Sequence, residues 1–163
     1  MKTLLIMRHA KSSWKDETLP DFERPLNKRG KHDAPRMGRL IRAEGLTPDA
    51  ILSSPAARAR ATAEAVADLS KYEGEVKFVS EFYEAGPEAY LKALRTLPDE
   101  VRSALVIGHN PALDELLESL IGESEHLPTA ALARVKLRLK RWKDLNESVQ
   151  GKLADFWSPG ELE

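Results

Sequence analysis

Short apolar runs alternate with helical patterns along most of this chain, and that alternation restricts the fold more than any other feature. The runs predict strands over Thr3–Met7, Ala50–Ser53, Val76–Val79 and Ala104–Ile107. Strands separated by helices are typical of an α/β domain with a largely parallel sheet. Leu4–Met7 and Ala104–Ile107 are apolar at every position, as strands covered by helices on both faces should be.

Three of the predicted helices have recognisable starts. Ser54-Pro55 offers a capping hydroxyl followed by a proline at the first helical position, and Asn110-Pro111 repeats the pair. Pro87 opens the third helix. The stretch 27–44 also carries a helical stripe, but its internal Pro35 predicts a late start or a kink.

Near the C-terminus the apolar pattern changes to a period of two. Val135, Leu137 and Leu139 alternate with basic residues, which predicts a half-buried strand whose solvent face carries the charges. A second strand around Lys152–Trp157 is expected to pair with it. The predicted fold is therefore a three-layer α/β/α domain with a mostly parallel central sheet and antiparallel C-terminal strands.

Length and composition favour one domain over residues 1–163 and exclude several classes of function. The formal net charge is −1, so no bulk charge draws the chain to nucleic acid or to a membrane. The absence of cysteine excludes disulfides and thiolate metal sites and suits a reducing compartment. No apolar stretch approaches the ~18 residues that a membrane span needs. We expect a cytoplasmic protein.

Basic residues follow three of the predicted strands at the points where those strands end. Arg8 and His9 come directly after the first strand, and His109 follows the fourth. Arg58 follows the second strand by one helical turn, where the helix dipole disfavours a cation. Because ligands of open parallel sheets bind beyond the carboxyl ends of the strands, these side chains predict an anion site.

Each of these residue types has a chemical reason to surround a phosphoryl group. Arginine binds phosphate oxygens in pairs, and neutral histidine is a nucleophile. We predict that His9 attacks phosphorus to form a phosphohistidine, which water hydrolyses, while its other ring nitrogen donates to a backbone carbonyl. Arg8, Arg58 and His109 would bind the oxygens. Lys11 either touches the phosphate as well or is an ordinary solvated lysine.

At these residues the chain resembles the histidine phosphatase superfamily, the phosphoglycerate-mutase-like group. Arg8-His9-Ala10 is similar to that family's Arg-His-Gly, and residues 54–62 match its Ser-Pro-x-x-Arg-Ala-x-x-Thr throughout. Gly108-His109 matches a third motif. The short length and the stretch 8–14 look like the SixA-type phosphohistidine phosphatases. The resemblance implies a nucleophilic His9, phosphate-binding roles for the other three residues, a mixed sheet, and neither a metal nor an organic cofactor.

The chain departs from the family pattern in two places. Ala10 replaces glycine, which predicts a negative φ and an extra methyl group on the floor of the pocket. Larger relatives use a glutamate from a long insertion as the proton donor, whereas here only a short connection joins Val79 to Pro87. Glu84 is the best candidate donor and Glu81 a weaker one, and the alternative is that both are solvated loop residues.

A weak or absent proton donor restricts which leaving groups, and therefore which substrates, the site can cleave. A sugar alkoxide leaves poorly without a general acid, whereas the imidazole of a phosphohistidine leaves more readily. With little chain available for a lid, an open pocket is expected, which suits a phosphorylated protein side chain. The sequence thus predicts a phosphatase acting on protein phosphohistidine. The alternatives are a phosphomonoesterase for small phosphorylated metabolites and a phosphate-binding module without turnover.

Overall fold

A mixed six-stranded sheet forms the centre of the protein in the computed structural model, which describes residues 1–162. The strands are β1 (Lys2–Arg8), β2 (Ala50–Ser53), β3 (Lys77–Phe78), β4 (Ser103–Gly108), β5 (Leu132–Leu137) and β6 (Gly151–Trp157). Their order across the sheet is β3-β2-β4-β1-β5-β6. The first four strands are parallel to one another, β5 is antiparallel to β1, and β6 is antiparallel to β5.

Four helices cover the two faces of this sheet, and the three-layer prediction is confirmed. They are α1 (Lys28–Ala43), α2 (Ala57–Leu69), α3 (Pro87–Arg95) and α4 (Ala112–Ile121). Alternate side chains of β1 point to opposite faces, so Leu5 and Met7 pack with α1 and α2 while Leu4 and Ile6 pack with α3 and α4. Within residues 1–162, no helix is both long and apolar enough to cross a bilayer.

Three helix starts differ from the prediction. Helix α1 begins at Lys28 with Pro35 inside it, so a late start, one of the two expected alternatives, is wrong. The side chain of Asn27 accepts a hydrogen bond from the Gly30 N–H at 2.9 Å and caps the helix there. Helix α2 begins at Ala57, so the prediction that Ser54 caps it is wrong. Helix α4 begins at Ala112, so Pro111 precedes it and is not its first residue as predicted.

The connections leave a crevice at the ends of β1 and β4. These two strands are neighbours, but the helices that follow them, α1 and α4, lie on opposite faces of the sheet. Chains that diverge in this way open a space beyond the carboxyl ends of the strands. Arg8 lies opposite Gly108 in the register of the two strands, so His9 and His109 enter the crevice side by side.

The N-terminal end of α1 packs closely on the loop that follows β1, and this contact predicts the effect of one substitution. A Cβ atom on Gly30 would lie 2.1 Å from the Lys11 carbonyl oxygen. Alanine is normally preferred to glycine inside a helix by about 1 kcal/mol. Here we expect Gly30→Ala to lower the free energy of unfolding by about 1–3 kcal/mol, because backbone must move to relieve the overlap.

Urea denaturation followed by circular dichroism measures this change. Gly86→Ala is the matched control, since a Cβ atom there would meet nothing within 4 Å. An increase in stability for Gly30→Ala would show that the loop after β1 does not pack on α1 as described.

Candidate active site

Three neighbouring strand ends bring the predicted side chains together. His9 and His109 follow the paired ends of β1 and β4, and their ring centroids are 5.1 Å apart. Arg58 is the second residue of α2, the helix that follows β2. His9, Arg58 and His109 are almost entirely buried, with exposed fractions of 7%, 7% and 8%. The sequence-predicted cluster is therefore one site.

A cavity of about 270 Å³ lies between these groups. Its lining residues are Arg8, His9, Lys11, Ser12, Trp14, Arg24, Arg58, His109, Asn110 and Thr129. Four of them are lysine or arginine and none is acidic. Such a lining attracts a small anion, and the arginines offer it several N–H donors at once.

The ring of His9 is held in one protonation form. Its Nδ1 lies 2.7 Å from the carbonyl oxygen of Ala10. A carbonyl oxygen only accepts hydrogen bonds, so Nδ1 carries the proton and Nε2 keeps its lone pair. Burial lowers the pKa of His9 to about 3, and the positive charges of Arg58 and Arg8 act in the same direction. His9 is therefore neutral and nucleophilic at neutral pH.

Thr62 connects the loop of His9 to the helix of Arg58. Its buried hydroxyl accepts a hydrogen bond from the Ala10 N–H at 3.0 Å and donates one to the Arg58 carbonyl at 2.7 Å. Ala10 keeps a negative φ, as predicted. Its methyl group packs in the core beneath α1 and α2 and does not line the cavity, so the predicted methyl group on the pocket floor is wrong.

The Ser54 side chain contacts His109 and does not cap α2. The Ser54 hydroxyl oxygen lies 2.7 Å from Nε2 of His109, and the backbone N–H of His109 donates to the Tyr90 hydroxyl at 3.2 Å. These contacts orient the second imidazole. Burial, followed by the charge of Arg58, lowers the pKa of His109 to about 4, so this ring is also neutral near pH 7.

Arg8 is anchored by one nitrogen. Its Nη1 donates to the Leu127 carbonyl at 3.2 Å, whereas its buried Nε has no hydrogen-bond partner within residues 1–162. The strand end that carries it is held by the N–H of Ala130, which donates to the carbonyls of both Arg8 and His9. Ala130 adopts a left-handed φ of 62° to do so, a conformation that costs about 1–2 kcal/mol.

Asp21 is the main site residue that the sequence analysis missed. It lies in a short 3₁₀ turn over Asp21–Glu23, and it accepts two hydrogen bonds from Arg58. Arg24 and Tyr83 donate to the same carboxylate at 2.8 and 2.6 Å. The contact between Asp21 and Arg58 spans 37 positions of the chain, and no motif around Asp21 indicates it.

Lys11 and Trp14 both border the cavity. Lys11 is exposed at its rim. Trp14 is 73% exposed, and the guanidinium of Arg24 stacks 3.2 Å above its ring centroid. The ring of Trp14 therefore forms part of the wall of the pocket.

Glu84 lies beside the site but not in the cavity that His9 lines. It is exposed and borders a second space of about 180 Å³, whose lining shares His109 and Asn110 with the first cavity. Glu81 is exposed in a different cleft, near the start of α3. Proton donation by either residue stays a prediction. Among residues 1–162, no three His, Asp or Glu side chains are grouped so as to hold a metal ion.

Comparison with known proteins decides the family. The model of the histidine phosphatase superfamily, branch 1, matches residues 4–90. This chain belongs to that superfamily. It is 30% identical over 140 residues to the phosphohistidine phosphatase SixA of Escherichia coli, which covers 82% of this chain and 84% of that protein.

Two solved structures extend the relationship to the whole fold. A protein from Agrobacterium tumefaciens assigned as a phosphohistidine phosphatase SixA is 32% identical, with a TM-score of 0.83 over 97% of this chain and 98% of that one. A protein histidine phosphatase SixA complexed with tungstate is 27% identical, with a TM-score of 0.84 over 99% of each chain. The chain is thus a histidine phosphatase of the SixA type, a cofactor-independent hydrolase with the phosphoglycerate-mutase-like fold.

The low pKa values of the two site histidines predict acid sensitivity of the fold. In the unfolded chain both rings titrate near 6.5, but in the folded protein they titrate at about 3 and about 4. Below pH 6.5 the unfolded state therefore binds protons that the folded state does not. We expect the free energy of unfolding to fall as pH drops from about 6.5 toward 4.

Urea unfolding at a series of pH values checks this expectation. His9→Gln should flatten the dependence between pH 6.5 and 4, because the group with the most depressed pKa is gone. His32→Gln changes an exposed histidine of α1 and is the control. Equal slopes for the His9 variant and the unaltered protein would contradict the prediction.

Proposed function

We propose that this phosphatase hydrolyses phosphohistidine on a protein substrate through a phosphoryl intermediate on His9. The observation that carries the proposal is the state of the His9 ring. Its Nδ1–H is bound to the Ala10 carbonyl, which leaves an unprotonated Nε2 at a cavity lined by Arg8, Arg58 and His109. A neutral nucleophile among cationic oxygen-binding groups is what transfer of a phosphoryl group requires.

The reaction proceeds in two displacements. First, the Nε2 lone pair of His9 forms a bond to phosphorus while the bond from phosphorus to the leaving nitrogen breaks. The leaving imidazole departs neutral, because the nitrogen that takes the electron pair belongs to a ring already protonated at its other nitrogen. Water then attacks phosphorus, the bond to Nε2 breaks, and inorganic phosphate leaves with the regenerated His9. Arg8 and Arg58 neutralise the oxygens in both steps.

The shape of the site supports a protein substrate. The cavity is small, close to the size of a phosphoryl group with part of its carrier, and its rim is formed by exposed Lys11 and Trp14. A side chain projecting from a protein surface can enter such a space without being enclosed. The similar SixA structure is a complex with tungstate, a tetrahedral oxyanion shaped like phosphate, and this supports oxyanion binding by a protein of this fold.

Replacing His9 tests the covalent step. We expect His9→Ala to lower turnover of an aryl phosphate and of a phosphohistidine protein by at least about a thousandfold, because no other group takes the place of the nucleophile. After a brief reaction with ³²P-labelled substrate and an acid-free quench, the label should map to His9. His32→Ala is the control. Wild-type turnover of His9→Ala, or label on another residue, would overturn the mechanism.

Replacing Glu84 tests the substrate class. A general acid typically contributes 10²–10⁴-fold to the departure of an alkoxide. We expect Glu84→Gln to change kcat/KM on a phosphohistidine protein by less than about threefold, since imidazole needs no such help. The same variant is then assayed on a panel of sugar phosphates. A loss of a hundredfold or more on the phosphohistidine protein would favour the phosphomonoesterase alternative.

A further inference from the structure

The carboxylate of Asp21 is hydrogen-bonded to Arg58, to Arg24 in its own loop and to Tyr83 in the connection between β3 and α3. Nη1 of Arg58 donates to the Asp21 main-chain oxygen at 2.8 Å, and Nη2 donates to Oδ2 at 3.0 Å. Oδ2 also accepts from the Tyr83 hydroxyl, and Oδ1 accepts from Arg24. Asp21 itself does not line the cavity that holds His9, so any influence on the reaction passes through these partners.

Arg58 needs such an anchor because its surroundings are electrostatically unfavourable. It is buried in the first turn of α2, where the helix dipole is positive, and no side chain caps that helix. Its charge also lowers the pKa of Arg8 and of both site histidines, so the positive groups of the site repel one another. A long side chain in this position gains by rotating toward solvent unless a fixed anion holds it.

Asp21 is suited to provide that anion permanently. The hydrogen bond from Tyr83, with those from Arg24 and Arg58, holds the pKa of Asp21 well below its ordinary value. The carboxylate therefore stays ionised at neutral and weakly acidic pH. A group this acidic has no proton to give to a leaving group, so Asp21 does not act as the general acid that the short β3–α3 connection lacks.

We propose that Asp21 is a positioning residue that holds the Arg58 guanidinium in the orientation that meets the phosphoryl oxygens in the transition state. This inference rests on the proposed function of the site. A guanidinium has five N–H donors, and the two bonds to Asp21 use two of them, on Nη1 and Nη2. Three donors remain on a guanidinium that these two bonds hold in place, and Arg58 lines the cavity.

The effect of losing this anchor should fall on kcat more than on KM. Orientation matters most when charge develops on the equatorial oxygens, and an interaction that is stronger in the transition state than in the ground state raises kcat. Removal of the negative charge also leaves Arg58 more attractive to a ground-state phosphate. This second effect offsets the loss of orientation in substrate binding but not in turnover.

The first test compares two carboxylates of the same loop. We expect Asp21→Asn to lower kcat on an aryl phosphate about tenfold while KM changes less than about threefold. Asp16→Asn is the matched control, because the carboxylate of Asp16 accepts its hydrogen bonds from Thr18 and not from Arg58. Tyr83→Phe removes one bond from the same carboxylate and should lower kcat in the same direction by a smaller factor.

A double-variant cycle separates positioning from a general structural role. If Asp21 acts through Arg58, the double variant Asp21→Asn/Arg58→Ala should turn over within about twofold of Arg58→Ala alone. If the double variant loses turnover by the product of the two single losses, the inference is overturned. A rise in KM at unchanged kcat for Asp21→Asn would also overturn it. Urea unfolding of each variant confirms that the proteins compared are folded.

Failure of the inference about Asp21 can be distinguished from failure of the proposed function. Labelled phosphate on His9 of the unaltered protein, combined with multiplying losses in the cycle, defeats only the role of Asp21. Absence of that label defeats the covalent mechanism itself, whatever the cycle shows.

Discussion

The hydrogen bond from His9 Nδ1 to the Ala10 carbonyl is the interaction on which the rest of the site depends. It decides which nitrogen is nucleophilic, and it works only if the Ala10 peptide is itself fixed. Thr62 supplies that support by accepting from the Ala10 N–H and donating to the carbonyl of Arg58. The last residue of the Ser-Pro-x-x-Arg-Ala-x-x-Thr pattern thus links the loop of His9 to the helix of Arg58, which gives a physical reason for finding a threonine there.

The site places positively charged arginines beside histidines whose protonation those charges oppose. Two arginines stay protonated while two buried imidazoles are kept neutral, because burial and the arginine charges oppose a further positive charge on either ring. An arriving phosphate reverses this balance by neutralising Arg8 and Arg58. In the proposed mechanism, its negative charge offsets the positive charge that the Nδ1-protonated ring of His9 acquires as Nε2 bonds to phosphorus. The resting site therefore keeps the Nε2 lone pair of His9 free, and the phosphoryl group brings the opposing charge.

Much of this arrangement could be predicted from the sequence, since it depends on local pattern. The alternating apolar runs gave the strands, and the strand ends placed Arg8, His9 and His109 at one edge of the sheet, as the register of β1 and β4 confirms. Asp21 could not be found in the same way, because its partner Arg58 lies 37 positions away and a loop aspartate is usually solvated. The position of Trp14 could not be predicted for a related reason. Its exposed ring is held at the cavity by stacking on Arg24, and nothing in the local sequence indicates that contact.

The position of Glu84 connects the fold to the substrate. The short connection between β3 and α3 places Glu84 at a space that His109 also lines, and not at the cavity that His9 lines. A long insertion would be needed to bring a proton donor over the His9 cavity, and the chain does not have one between Val79 and Pro87. In the proposed mechanism, a site without that donor favours leaving groups that carry their own proton. Imidazole meets that condition at neutral pH and a sugar alkoxide does not, and this difference is the physical reason for proposing phosphohistidine as the substrate.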